Sequence, residues 1–147
     1  MEELKKCLEL RRKINEIDDR ILDIKSKVRH PKTQTLSCMP RNASQSDSAI
    51  ERYIITLDKL QARRGALEEE LYLRWVQIEK TLDRCSIARN DKRLLSLRFY
   101  SGLSWKKCTA KMQKQDAKWN ENKTFRRYRE VVKVVQKNGG FLVQSVN

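Results

Sequence analysis

The chain has 147 residues, enough for one ordinary domain or a small domain with an appendage. Hydrophobic residues make up 39% and aromatics 7%, and 4 Gly and 2 Pro are too few for the turns of a β-sandwich or a doubly wound sheet, so the composition points to long helices. The formal net charge of +14 points to a polyanionic partner, and its distribution is uneven: residues 1–83 carry 17 basic and 15 acidic side chains, residues 84–147 carry 16 and 4. The first part therefore reads as a unit laced with salt bridges. The second reads as a surface for nucleic acid rather than a membrane, because no strongly apolar face opposes its cations.

Residues 2–29 read as one helix. Cys7, Leu10, Ile14, Ile17, Ile21, Ile24 and Val28 recur at alternating spacings of 3 and 4, which is a heptad seam, and charged residues fill the positions between. His30 to Ser48 holds both prolines, Pro31 and Pro40, with a cluster of Ser, Thr and Asn, and reads as a long loop. A second long helix is expected over 49–85, capped by Ser48 or Asp47. Its seam is Ile50, Tyr53, Leu57, Leu60, Leu67, Leu71, Trp75, Ile78, Leu82 and Cys85, with Arg64 on the seam and Gly65 as a local weakness. Two seams joined by a loop suggest an antiparallel hairpin, or coiled coil, over 1–85. The second helix is the longer, so its surplus needs a partner in the C-terminal part or in a second copy of the chain.

From Asn90 the elements shorten. Residues 91–100 suggest a helix with Leu94, Leu95, Leu97 and Phe99, stopped at Ser101 and Gly102. Ser104 caps the next helix, with Leu103 and Cys108 placed for a hydrophobic staple and Trp105, Cys108 and Met112 on one face. Residues 113–122 are polar and ambiguous. A last helix is expected from about Lys123 to Lys137, with Asn122 as its cap, Gly139 as its stop and Phe125, Tyr128, Val132 and Val135 as its core stripe. Residues 86–139 thus form a small helix-turn-helix domain, and 140–147 a tail. The expected architecture is all-α: a long helical hairpin followed by that domain.

Short helix, Ser-Gly turn, Ser-capped helix and basic helix is the layout in which a last helix enters the major groove. Opposite its expected core stripe lie Lys123, Arg126, Arg127, Lys133 and Lys137, diluted only by Glu130. Lys123, Thr124, Arg126 and Arg127, in its N-terminal half, are expected to reach deepest, Arg gripping guanine edges and Lys meeting phosphates. Lys106 and Lys107, in the first turn of the preceding helix, are placed for the backbone. Trp75 and Trp105 fit core positions better than base-stacking platforms; Trp119 fits either.

Catalysis is not expected: there is no Ser/His/Asp set, no glycine-rich phosphate loop and no acidic cluster for a metal. Asp18, Asp19 and Glu68 to Glu70 read as solvated helix faces. Cys7, Cys38, Cys85 and Cys108 lie 31, 47 and 23 residues apart with His30 the one histidine, so neither a metal nor another cofactor is expected, and free thiols of a reducing cytoplasm are. No apolar run approaches the ~18 residues of a membrane span, and the charged, amphipathic opening at residues 1–6 does not look like a secretory leader.

The stretch LLSLRFYSGLSW at residues 94–105 resembles the "LRY-x-x-G-[LM]-[ST]-W" segment of the sigma-factor region-4-like helix-turn-helix, as found in small phage and prophage transcription regulators of the ArpU or RinA type. MPRNASQSD at residues 39–47 is similar to the "MPRG…SD" loop linking the two coiled-coil helices of such proteins. The order of elements over most of residues 1–135 is also similar. The resemblance implies sequence-specific binding of double-stranded DNA and control of phage or mobile-element genes, in the cytoplasm and at the nucleoid of a bacterial host. The alternative reading of the residues themselves is a protein-interaction module whose coiled coil docks on RNA polymerase or another regulator; a homodimer is a further candidate assembly. By position, Ser104 and Trp105 open the supporting helix, and Thr124, Phe125, Arg126 and Arg127 match the family's "[ST]-[TV]-x-R" entry to the recognition helix. Two departures stand out. Cys108 replaces a favoured Ile, and Met112 to Thr124 spans twelve positions where the family has a shorter connection, so either the supporting helix runs on to about Lys118 or the turn holds an extra loop with Trp119.

Overall fold

The computed structural model describes residues 2–29 and 44–141. Among them the chain is all-helical. The helices are α1 (Glu2–Arg29), α2 (Ser44–Arg84), α3 (Arg89–Leu95), α4 (Trp105–Gln113) and α5 (Glu121–Lys137), and a π turn, Ser96–Tyr100, continues directly from α3. The first helix matches the expectation. The second begins earlier than residue 49, so neither Asp47 nor Ser48 caps it; no Gly or Pro stands between Ser44 and Gly65 to stop a helix. The conformation expected for residues 30–43 and for 142–147 lies outside the described residues.

The expected domain boundary after residue 85 does not coincide with the compact units. One unit comprises residues 1–12 with 68–147, the other 13–67. The division therefore falls within both long helices. Two paired helices supply little core of their own, whereas a pair's end can be absorbed by additional helices.

In the 13–67 unit, Arg64 Nε of α2 donates to Asp18 Oδ1 of α1 at 2.5 Å, which ties the two long helices together. Ile14, Ile17 and Ile21 of α1 are buried, but Leu57, Leu60 and Leu67 are only half-buried and Ile50, Tyr53, Ile54 and Ile55 are exposed. The seam expected over the first half of α2 is thus open, because α1 alone cannot cover it. Arg64 sits on the seam and turns its charge outward to Asp18, a partly exposed pair that fixes register more than it stabilises.

In the other unit, Leu4, Cys7 and Leu10 of α1 and Leu71, Trp75, Ile78 and Leu82 of α2 are buried. Arg74 bridges Glu3 at 3.1 Å and Glu70 at 3.0 Å beside this layer. Burial pushes the Cys7 thiol up to about 11, so it remains a neutral apolar filler at neutral pH. α2 ends in a six-residue closure: Ile87 N donates to Leu82 O at 3.1 Å and Ser86 N to Asp83 O at 2.9 Å, with Ser86 left-handed at φ 51°. Buried Ile87 then lies at the position that closes apolar contact with Leu82.

α3 starts before residue 91, at Arg89, and widens into the π turn, where Ser101 N reaches back five residues to Ser96 O at 2.9 Å. The extra residue separates neighbouring rings. Phe99 turns inward to Trp105 and Tyr128, with centroids 6.2 and 5.9 Å away; Tyr100 turns to Trp75 of α2 at 5.6 Å and accepts Arg11 Nε on its carbonyl at 2.7 Å. Gly102 ends the turn with φ +71°, and a Cβ there would stand 2.6 Å from Arg11 Cγ. Glycine is thus needed both for the backbone angle and for the arginine's approach.

Candidate nucleic-acid interface

Ser104 caps α4 as expected, accepting from Lys107 N at 3.4 Å, and its buried face is Cys108, Thr109 and Met112. Leu94, Cys108, Met112 and Trp119 form one core cluster, with Leu97, Leu103 and Trp105 packed on it, so Leu103 and Cys108 do share a staple-like core. α4 stops at Gln113. The connection is therefore the extra loop and not a longer helix. Trp119 anchors it in the core, Gln113 Nε2 donates to Trp119 O at 2.8 Å, and Lys118 N donates to Asp116 Oδ1 at 3.0 Å in a side-chain turn.

α5 begins two residues earlier than expected. Asn120, not Asn122, is the cap: its side chain accepts from Lys123 N at 2.8 Å. At about 100° per residue, the inward line is Thr124, Val131 and Val135, all buried, with Tyr128 half-buried beside it. Of the expected stripe, Val135 is buried, Tyr128 and Val132 are half-buried, and Phe125 is exposed, resting its ring on Trp105 at 5.3 Å. The expectation weighted ring size over polarity. The protein instead buries a threonine because its hydroxyl is satisfied. Thr124 Oγ1 accepts Trp119 Nε1 at 2.8 Å, lies 2.8 Å from Thr109 Oγ1 and 3.0 Å from Asn120 O.

One expected contact residue is thereby corrected, and two others are engaged by carboxylates of the same domain. Thr124 is fully buried and cannot touch a base. Arg127 forms a two-pronged pair with the buried carboxylate of Asp91 (Nε to Oδ1 at 3.0 Å, Nη2 to Oδ2 at 2.5 Å) and donates to Glu130 at 2.9 Å; the Asp91 bonds raise its pKa further, and it docks α5 on α3 rather than projecting outward. Lys123 donates to Asp116 at 2.9 Å and lies 4.7 Å from the Trp119 ring centre, holding the Asp116 carboxyl below its ordinary range.

Arg126, Lys133 and Lys137 are exposed on α5 as expected, as are Lys106 and Lys107 in the first turn of α4. Sequence reasoning missed Asn122 and Arg129. On the helical wheel they fall with Arg126, Lys133 and Lys137 within a sector opposite Thr124, Val131 and Val135. Asn122, Phe125, Arg126, Arg129, Glu130 and Lys133 line one shallow concavity of about 430 Å³ along this face. The signal was available: Asn120 is as good a cap as Asn122, and Glu121 then supplies the acidic first turn that a helix dipole favours. Among the described residues no group of His, Cys, Asp and Glu could hold a metal ion, and no helix is long and apolar enough to cross a membrane. No family model, curated protein or solved structure matches the chain.

Proposed function

We propose that the chain is a sequence-specific, double-stranded-DNA-binding transcription regulator of phage or mobile-element genes, with α5 in the major groove. One observation carries the reading: Asn122, Arg126, Arg129, Lys133 and Lys137 form a single outward ridge on a helix whose opposite line is buried. Asn and Arg pair with adenine and guanine edges, and lysines further along meet phosphates. The phage assignment rests on the likeness of residues 94–105 and 39–47 to the region-4-like regulators. The reading invokes no catalytic step and no cofactor, and implies a cytoplasmic, nucleoid-associated protein.

Binding to duplexes from the neighbourhood of its own gene, measured by fluorescence anisotropy over a salt series, tests it. Arg126→Ala with Arg129→Ala should weaken the preferred duplex by at least tenfold and flatten discrimination against a scrambled one, since each bidentate contact is worth about 1–3 kcal/mol. Unchanged affinity and discrimination would remove α5 from the interface.

The second reading is a coiled-coil module that binds RNA polymerase or another regulator. The exposed Leu22, Ile50, Ile54 and Ile55 of the 13–67 unit favour an apolar partner there. A partner captured at full yield after nuclease treatment, and unaffected by the double arginine change, supports this reading over DNA. A second copy of the chain is the partner we assign to that face, because the unit holds both helices of a regular seam and lacks the large cationic excess of residues 84–147.

A further inference from the structure

We propose that the groove between the first turn of α3 and the start of α5 is a second seat for a DNA phosphodiester, in which Arg89 grips the strand opposite the one met by Lys106 and Lys107, with Arg126 at its edge reaching on to the bases. The proposal rests on the reading that α5 lies in the major groove. That groove is about 12 Å wide, and a helix with its side chains is about 10–12 Å across. A helix lying in it therefore has a phosphate ridge on each side, and whatever flanks the helix meets those ridges.

The two flanks of α5 are different. On one, Phe125 touches Trp105 of α4, whose first turn carries the exposed Lys106 and Lys107. On the other, Arg127 holds Asp91 of α3, whose first turn carries the exposed Arg89. Arg89, Asn90 and Asp91 share with Asp116, Lys123, Arg126 and Arg127 a concavity of about 380 Å³.

Charge decides what this concavity accepts. Both its carboxylates are already engaged: Asp91 is buried against Arg127, and Asp116 takes Lys123. Arg89 has no ion pair among the described residues, and Arg126 stands 3.8 Å from Glu130, at the edge of contact. Two exposed guanidinium groups thus face one opening whose acids are neutralised, which suits a singly charged phosphodiester. Arg126 also lines the concavity on the outward face of α5, so the seat runs into the base-reading ridge without a break.

The test uses the full chain and a duplex it prefers, with affinity followed from about 50 to 200 mM salt. Arg89→Ala should lower the slope of log affinity against log salt by about 0.9 and weaken preferred and scrambled duplexes alike. Arg89→Lys should restore the slope. Lys25→Ala, the same loss of charge on the 13–67 unit, should leave it as in the parent. If the parent binds and Arg89→Ala matches Lys25→Ala, the seat is wrong while the DNA reading stands. If Arg89→Ala blurs discrimination but keeps the slope, Arg89 reads bases and the seat is again wrong. Thermal stabilisation by inorganic phosphate that disappears in Arg89→Ala while the duplex salt slope stays as in the parent would reassign the site to a free anion. A parent that binds no duplex at any salt sinks the DNA reading and the seat together.

Discussion

Thr124 is the residue on which the orientation of α5 turns. It is fully buried, and its hydroxyl joins the Trp119 indole of the connecting loop, Thr109 of α4 and the Asn120 carbonyl at the head of its own helix. Replacing it by valine keeps the shape and removes every one of these bonds. Thr109 retains its bond to Trp105 O at 3.0 Å, but the Trp119 N–H is left buried and unpaired. Thr124→Val should therefore cost about 1–3 kcal/mol in a denaturant titration. A loss under about 0.5 kcal/mol would mean that water reaches the indole and the threonine is not the pivot described here. Arg127 teaches the same lesson in charge. Its residue type fits a guanine contact, yet the buried Asp91 claims it. No pattern within α5 alone distinguishes Arg127 from Arg126, because the partner that separates them is 36 residues away.

Among the elements, the π turn decides how α3, α4 and α5 meet the ends of the two long helices within their unit. A regular helix over residues 96–100 would not divide Phe99 and Tyr100 between two sets of partners in the way observed. Arg11 secures the outcome through the Tyr100 carbonyl and ring, with its guanidinium 5.4 Å from the ring centre. Gly102 admits the arginine stem. Gly102→Ala should destabilise by more than the roughly 1–2 kcal/mol of placing alanine in a left-handed conformation, because the anchored Arg11 cannot withdraw freely. In an Arg11→Ala background the same change should cost at least ~0.5 kcal/mol less. Strict additivity in this double-mutant cycle, read from equilibrium unfolding, would show that the two residues do not press on each other. The glycine was legible in the sequence as a helix stop. Its second role was not, since Arg11 is far away in the chain. Residues 91–100 had the composition of an ordinary helix, and nothing local announced the widening.

For the whole molecule, the unequal covering of the two units carries the consequence. Among the described residues of the 13–67 unit the buried apolar side chains come from α1, while Leu22 is 65%, Ile54 51% and Ile55 53% exposed. A paired-helix layer with one side uncovered is marginal by itself. Sedimentation at micromolar concentration should show a dimer, and Ile54→Glu with Ile55→Glu should return it to monomer without loss of helicity. A parent that sediments as a monomer at those concentrations would leave these side chains in solvent and remove the second copy from the proposal. Dimerisation through this unit would also place two basic domains in one particle, as half-site recognition by helix-turn-helix proteins requires.

The amino-acid sequence alone determined the helical class, the extent of α1, the cap at Ser104, the stops at Gly102 and Gly139 and the concentration of cations after residue 83. Each of these depends on periodicity, capping chemistry or charge count within a few turns of chain. Tertiary structure decided which side of α5 faces outward, which arginines are engaged inside the domain, how the two long helices divide between compact units and where the helix widens. Those choices depend on partners brought together from distant positions: Asp91 for Arg127, Trp119 for Thr124, Arg11 for Gly102. A buried hydroxyl or carboxylate takes its orientation from whatever satisfies it, and only the folded chain brings that partner within bonding distance.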